Sequence, residues 1–339
     1  MYTQAQTISG ILIKFGQLLG VNLTENRLNI PPAFGSGYCA GYVFNEHIRL
    51  LISDYELEED MMMKQPKEIA PKKILFFKFQ HIFPKAAKKS SKLEDQAAKL
   101  AGRSSALAGQ APQMPTVLIA TSSIGSGEAF QIHSNTETIN IEVDTDYLNL
   151  LLPPADRSPA LQALLQGDAP LFFEQLILPV MLRIVEEILS PPGNETFRLF
   201  FLRLKAEELI CRLLMEIDKR QEKQMYPLHQ KDIALIYQIR DQMIAQINIP
   251  PVIAELADQA AMSPTKLKRL FRQIFGDSIF SYYQQFRIKE AARLLKTEGH
   301  SVSSVGYQLG FTNLSHFSKL FELHMGMKPK QYSMTGGSV

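Results

Sequence analysis

Two clusters of polar side chains stand out by type and spacing. Thr265, Lys266, Lys268, Arg269 and Arg272 form one; Ser315, His316 and Lys319 form the other. Within each cluster the intervening apolar residues recur at helical intervals, so the polar groups fall on the outer side of a helix whose inner side is greasy. Guanidinium and ammonium groups in such an array pair with phosphates and with guanine, while hydroxyl and imidazole groups reach other base edges. A helix that enters a major groove needs this division, one face anchored on a partner helix and the other turned to the bases.

The residues around each cluster supply the anchor. Ile253, Leu256, Ala257 and Ala260 put one apolar stripe on a short helix, which Met262-Ser263-Pro264 then breaks. Ser263 is a natural N-cap and Pro264 fits the first helical position, where a missing N–H is no loss. In the following helix Leu267, Leu270, Phe271 and Ile274 face inward, Gln273 joins the outer faces, and Gly276 stops the helix. The second cluster repeats the plan. Val302, Val305 and Leu309 line a support helix, Gly310 makes the turn, and Thr312 or Asn313 caps a helix with Phe317, Leu320 and Phe321 on its core side. Ser318 is left outside, and Gly326 and Pro329 end that helix.

Between the two units the spacing of Phe280, Tyr283, Phe286, Ile288, Ala291, Leu294 and Leu295 predicts one helix from Ile279 to Lys296. At 1.5 Å per residue it spans roughly 27 Å. With the offset of the flanking units, that approaches the roughly 34 Å between successive major grooves on one face of B-DNA. One chain could therefore touch two adjacent major-groove segments. A seven-helix bundle packing something else is the plain alternative; two units with parallel apolar patterns at fixed spacing weigh against it. Charge leans the same way, mildly, with +4 over residues 232–339 and −2 over 1–231.

The stretches LFRQIFG (270–276), FRIKEAARLL (286–295) and VGYQLGFTNLSHFSKLFELHMGMKPKQY (305–332), with the Gly310-Phe311 turn, resemble the DNA-binding domain of AraC/XylS bacterial transcription regulators. The resemblance covers about 232–333. It implies base contacts from Thr265, Lys268 and Arg269 in the first unit and from Ser315, His316 and Lys319 in the second. Lys319 stands where the family often has an arginine, which shifts the second unit toward phosphate positioning. Members commonly join this domain to an amino-terminal part that senses a small molecule or holds a dimer, and act as activators alongside RNA polymerase. The sequence Ile48-RLLISDYELEED and the helical block after it are similar to the siderophore-responsive branch that includes the pyochelin regulator, in which the effector is a ferric siderophore. No binding-site position transfers with that likeness.

With 339 residues the chain has room for two domains. Cys39 and Cys211 are its only cysteines, too few for a disulfide framework and at no metal-site spacing, so both are expected to be reduced core residues in a cytoplasm. The start lacks the basic lead and cleavage site of a signal peptide. The most apolar stretch, from Leu171 to Leu189, is interrupted by Glu174, Arg183, Glu186 and Glu187 and is expected to be a buried or interface helix, not a membrane span.

Residues from about 36 to 152 read mostly as strands, over Tyr42–Leu57, Lys73–Phe83, Thr116–Gly125 and Thr138–Leu152, with β-branched and aromatic enrichment. They favour a small cupin-like barrel or sandwich. An Ala/Ser/Lys-rich stretch, 85–113, reads as a mobile insertion. From 158 to 223 the pattern turns helical. The last helix, 195–223, has apolar residues on more than one face, which leaves a homodimer contact and internal packing both open.

Other chemistry fades on inspection. Ser263-Pro-Thr-Lys266 matches S-x-x-K but straddles a helix cap and has no companion motifs. His47, His81 and His133 lie on separate candidate strands without the His-x-His and Glu of a metal set, and Gly125-Ser126-Gly127 lacks the Lys-Ser/Thr of a phosphate loop. No catalytic, metal or cofactor set emerges, so an enzyme is not expected.

These readings together expect an α+β chain: a sensing and dimerising domain over 1–225, a linker over 226–231, and an all-α DNA-binding domain over 232–335. A DNA-binding regulator answering a small molecule is the function they favour. An architectural DNA-binding protein without effector, or a barrel enzyme with a DNA-tethering tail, are the alternatives.

Overall fold

The computed structural model describes residues 10–58, 61–64, 73–82, 115–122, 129–132, 135–193, 195–220, 224–296 and 300–334. The 85–113 stretch, the Gly125-Ser126-Gly127 turn and His133 lie outside the described residues. The chain divides into two compact units between His229 and Gln230.

The first unit is built on antiparallel strands. They are β1 (Arg27–Asn29), β2 (Gly35–Val43), β3 (Ile48–Leu57), β4 (Met61–Lys64), β5 (Ile74–Gln80), β6 (Thr116–Thr121), β7 (Ala129–Ile132), β8 (Asn135–Asp144) and β9 (Phe172–Leu176). Seven of them form one sheet in the order β1-β2-β3-β8-β5-β6-β9, and β4 pairs with β7. Register aligns the apolar residues across the sheet: Ala40 faces Ile52, Ile52 faces Ile139, Ile139 faces Phe79, and Phe79 faces Val117. The row beside it runs from Tyr42 through Leu50, Ile141, Phe77 and Ile119 to Phe173.

Helices cover this face. Along the chain come α1 (Gly10–Leu19), α2 (Thr145–Leu151), α3 (Pro159–Gln166), α4 (Pro179–Leu189) and α5 (Glu195–Asp218). Leu164 of α3, Ile184 and Ile188 of α4, and Leu202, Leu209 and Leu213 of α5 share one core with the sheet. A second core packs α1, through Leu12, Phe15 and Leu19, on Leu28, Cys39, Tyr55 and Leu57. In β3, Ile48, Leu50 and Ile52 serve the first core while Tyr55 and Leu57 serve the second, so both faces of this strand are apolar.

Three local expectations give way. The strand expected over 138–152 ends at Asp144, whose carboxylate caps α2 by accepting from the Asp146 N–H at 2.8 Å. A cap followed by aliphatics is a helix start that β-propensity conceals. Phe172–Leu176, expected to be helical, is the edge strand β9, because Phe173 completes the apolar row and β6 supplies the ladder. Helix α4 begins only at Pro179, a residue suited to a first turn. Cys211, expected in the core, is exposed on α5, whose opposite face packs on the sheet.

The second unit is helical: α6 (Gln230–Ala245), α7 (Ile253–Gln259), α8 (Pro264–Phe275), α9 (Ile279–Leu295), α10 (Val302–Gln308), α11 (Leu314–Met325) and α12 (Pro329–Met334). Two short–long helix pairs, α7/α8 and α10/α11, flank α9. Around the first pair, Phe271, Phe275 and Tyr282 form an aromatic knot with centroids 4.6–5.4 Å apart. Around the second, Ile288, Ala291, Leu295, Val305, Phe317 and Phe321 form one buried cluster. Pro329 opens α12 instead of only ending α11, and the ring of Tyr332 packs edge-on against Phe321.

Candidate nucleic-acid interface

The two exposed polar faces rest on caps. Ser263 Oγ accepts from the Lys266 N–H at 3.2 Å, Pro264 follows it, and Gly276 ends α8 in the left-handed region at φ 78°. Leu267, Leu270, Phe271 and Ile274 are buried, which fixes the rotation of the helix and leaves Thr265, Lys268, Arg269 and Arg272 exposed. Gln273, expected outside, is buried at 2 % exposure. The following Ile274 and Phe275 pull its side of the helix into the unit.

Lys266 behaves differently from its neighbours. It is half-buried, and its ammonium lies 3.0 Å from Asp232 Oδ1 in the first turn of α6. This ion pair ties the start of the exposed helix to the first helix of the unit, so the charge of Lys266 is already partnered within the protein.

In the second pair Asn313, and not Thr312, is the cap. Its Oδ1 accepts from the N–H groups of Ser315 and His316 at 2.9 and 3.1 Å. Phe317 and Phe321 are buried and Leu320 is half-buried; Ser315, His316 and Lys319 are exposed and Ser318 is half-buried. Among the named candidates, Thr265, Lys268, Arg269 and Arg272 share the face of α8, and Ser315, His316 and Lys319 share that of α11. Lys266 is drawn toward Asp232.

What sets one helix pair against the other was not read from sequence. Helix α9 has 17 residues, about 25 Å at the standard rise. Arg287, in its middle, is buried at 4 % exposure and donates from Nε and Nη2 to the Leu309 carbonyl at 2.9 and 2.7 Å. Leu309 is the residue that caps the C-terminus of α10, where carbonyls lack helical partners and a cation is favoured. The guanidinium also lies 3.7 Å from the centroid of Phe311. Gly310, at φ 77°, leaves no room for more: a Cβ there would stand 2.1 Å from the Asn248 carbonyl oxygen in the loop after α6. Tyr283 donates to the Ile247 carbonyl at 2.9 Å from the same helix α9. The turn of the second pair is thus clamped to both α9 and the α6–α7 loop. A buried arginine in an amphipathic run looks like any solvated one, so only the Gly310-Phe311 turn hinted at the clamp.

Of the discounted histidines, His47 lies 3.7 Å from Asp144 Oδ2 and stacks on Tyr147, and His81 takes φ 58° at a strand end. Among the described residues no group of His, Cys, Asp or Glu is placed to hold a metal ion, and no helix is long and apolar enough to cross a membrane.

The profile of a family described as helix-turn-helix domain matches residues 256–334. The arabinose operon regulatory protein of Escherichia coli is 35% identical over 80 residues, 24% of this chain and 27% of that protein. The regulatory protein PchR of Pseudomonas aeruginosa is 37% identical over 71 residues, 21% of this chain and 24% of that protein. The chain therefore spans about a quarter of the length of these curated relatives. A crystal structure of a transcriptional regulator of the AraC-type DNA-binding group from Chromobacterium violaceum, 25% identical, covers 31% of this chain and 95% of its own with a TM-score of 0.30. The capped helix pairs, their exposed polar faces and the profile match agree on one identity: residues 256–334 of the chain form a helix-turn-helix domain.

Proposed function

We propose that the whole chain is a sequence-specific transcription regulator, an activator acting with RNA polymerase in the cytoplasm, that answers a small molecule through its first unit. The observation that carries this reading is the pair of capped helices α8 and α11, each with an exposed polar face and both held on α9. In this reading Thr265, Lys268, Arg269 and Arg272 engage one major-groove segment and Ser315, His316 and Lys319 the next, with Lys266 adding charge when phosphate competes for it. The sensing and dimerising part is residues 1–225 and the DNA-binding part 232–335. The joining stretch is short, since Leu228 is buried and its N–H donates to the Pro170 carbonyl at 2.8 Å, while α6 starts at Gln230.

A homodimer fits the same reading. On α5, Phe197, Phe200, Leu204, Cys211 and Met215 follow one helical face and are exposed. The opposite face, through Leu202, Ala206, Leu209, Leu213 and Ile217, is already spent on the sheet. A single-file apolar stripe on a 24-residue helix, flanked by the Arg203–Glu207 and Glu208–Arg212 ion pairs, has the form of a helix–helix seam.

Footprinting of the full chain on duplexes selected from a random pool tests the central claim. Two protected major-groove segments about 10 base pairs apart per chain are expected. Protection of one segment only would overturn the bipartite reading. Equal affinity for selected and scrambled duplexes, with no ligand response to a panel that includes ferric siderophores, would favour an architectural protein.

A further inference from the structure

The first unit has a cleft of about 270 Å³ where the β1–β2 margin of the sheet meets the corner between α4 and α5. Its floor is small and apolar, made by Ala40 and Ile52, and Ile188, Leu189 and Leu199 form one wall. Tyr38 and Tyr42, four residues apart on one face of β2, form the other. Burial raises the pKa of both phenols, so both are neutral hydrogen-bonding groups.

Two guanidiniums stand at the mouth, in different states. Arg198, from α5, is bound to Glu195 at 2.6 Å and is close enough to Tyr42 to hydrogen-bond its phenol. Its Nε is buried and has no partner among the described residues. Arg27, from β1, sits over the Tyr38 ring with its guanidinium carbon 3.6 Å from the centroid, and its Nε donates to Asn29 Oδ1 at 2.9 Å. Among the described residues no carboxylate pairs with Arg27, and both of its Nη groups lack an acceptor. A guanidinium seated over a ring, with both Nη groups unused, is set to take a carboxylate through two parallel hydrogen bonds.

We propose that this cleft binds a small organic monocarboxylate, its apolar body on the Ala40–Ile52 floor and its carboxylate on Arg27 with Arg198 beside it. The volume falls just below the roughly 300 Å³ at which drug-sized pockets begin, which suits a single ring or a short branched chain. Glu25 and Glu195 at the rim oppose a second negative charge, which disfavours phosphate. Helix α5 carries both Arg198 and the exposed stripe from Phe197 to Met215. A ligand that fixes the first turn of α5 therefore acts on the surface assigned above to the second copy. That regulatory consequence rests on the sensor reading; binding itself does not.

The test uses the full chain without DNA and phenylacetate as the probe, followed by ligand-observed NMR because the chain contains no tryptophan. Saturable binding of phenylacetate is expected, with the neutral phenylacetamide and inorganic phosphate each at least tenfold weaker. Arg27→Gln is expected to weaken phenylacetate at least tenfold and to leave phenylacetamide unchanged. Ala40→Leu fills the floor and is expected to abolish binding of both. If its melting curve shows that it does not fold, Leu189→Phe at the half-exposed wall replaces it. No saturable phenylacetate binding, equal affinity for acid and amide, displacement by phosphate at equal affinity, or indifference to Arg27→Gln would each overturn the proposal. Selection of a DNA sequence by the same preparation is measured separately, and failure there overturns the regulator reading and leaves the cleft standing.

Discussion

Lys266 and Arg269 lie three residues apart on α8, yet they meet different surroundings, and the difference is measurable. Arg269 is exposed beyond the buried Leu267, Leu270 and Phe271, with the fork that matches guanine O6 and N7. Arg269→Ala is expected to lower affinity for a selected duplex by about 1–3 kcal/mol and to relax preference at one base position. Equal losses on selected and scrambled duplexes would place Arg269 on phosphate instead. Lys266 is held by Asp232, so Asp232→Asn should release a cation and steepen the salt dependence of DNA binding by about one unit of slope. Titrations at several salt concentrations read both effects, and an unchanged slope would mean that Lys266 never reaches phosphate. A third group speaks to pH. Burial pushes the Lys289 ammonium on α9 down to about 8, against a smaller opposing pull from Asp277. Between about pH 8 and the ordinary 10.5 the unfolded chain keeps a proton that the folded chain has shed, so this group makes stability rise with pH across that window. Lys289→Met should flatten that rise and add roughly 1–3 kcal/mol at neutral pH, read by urea unfolding at a series of pH values. Caps such as Ser263 and Asn313 were legible because their hydrogen bonds are local. The partners of Lys266, Gln273 and Arg287 were not, since each is set by a helix far away in sequence.

At the scale of elements, the helix pairs and α9 could be read directly, because amphipathic periodicity survives whatever the helix packs against. Strands were less faithful. The β-branched run into Asp144 carried the strand assignment past its end, and Phe172–Leu176 looked helical until β6 offered it a ladder. Pairing between strands distant in sequence leaves little local trace. The turn at Gly310 tests how tightly one element is set against another. Gly310→Ala must adopt a left-handed backbone and displace the Asn248 carbonyl, so a loss of about 3 kcal/mol or more is expected by thermal or chemical denaturation. A loss below 1 kcal/mol, within the range of ordinary surface changes, would show that the α6–α7 loop yields easily. Helix α5 offers the complementary test. Phe200→Glu places a charge on the exposed stripe and away from the sheet core, so it should convert a dimer to a monomer in sedimentation while leaving the melting of the monomer nearly unchanged. A wild-type chain that is monomeric at all accessible concentrations would remove the seam.

On the scale of the whole molecule, the α+β character and the helical carboxy-terminal domain were visible in composition and period, and the charge difference between the two parts pointed the same way. The cleft beside β1 and β2 was not visible, because Arg27, Tyr38, Ala40, Ile188 and Arg198 come from four separate segments. The clamp of Arg287 on Leu309 and the contact of Gly310 with Asn248 carry a further consequence, and it falls on the DNA. If α8 and α11 both read DNA as proposed, their attachment to one rigid strut keeps the protein from re-spacing itself to suit a target. Five base pairs inserted between the two recognised segments would turn one of them to the far side of the duplex, since a full turn takes about 10–10.5 base pairs. Binding should then fall to that of a single unit, and ten inserted base pairs should not restore it, because the strut has one length. For targets of the right spacing, any residual mismatch must be met by bending or twisting the duplex. Flexible pyrimidine–purine steps in the untouched middle should then be preferred over a stiff A-tract, a selectivity exercised on bases the protein never reaches.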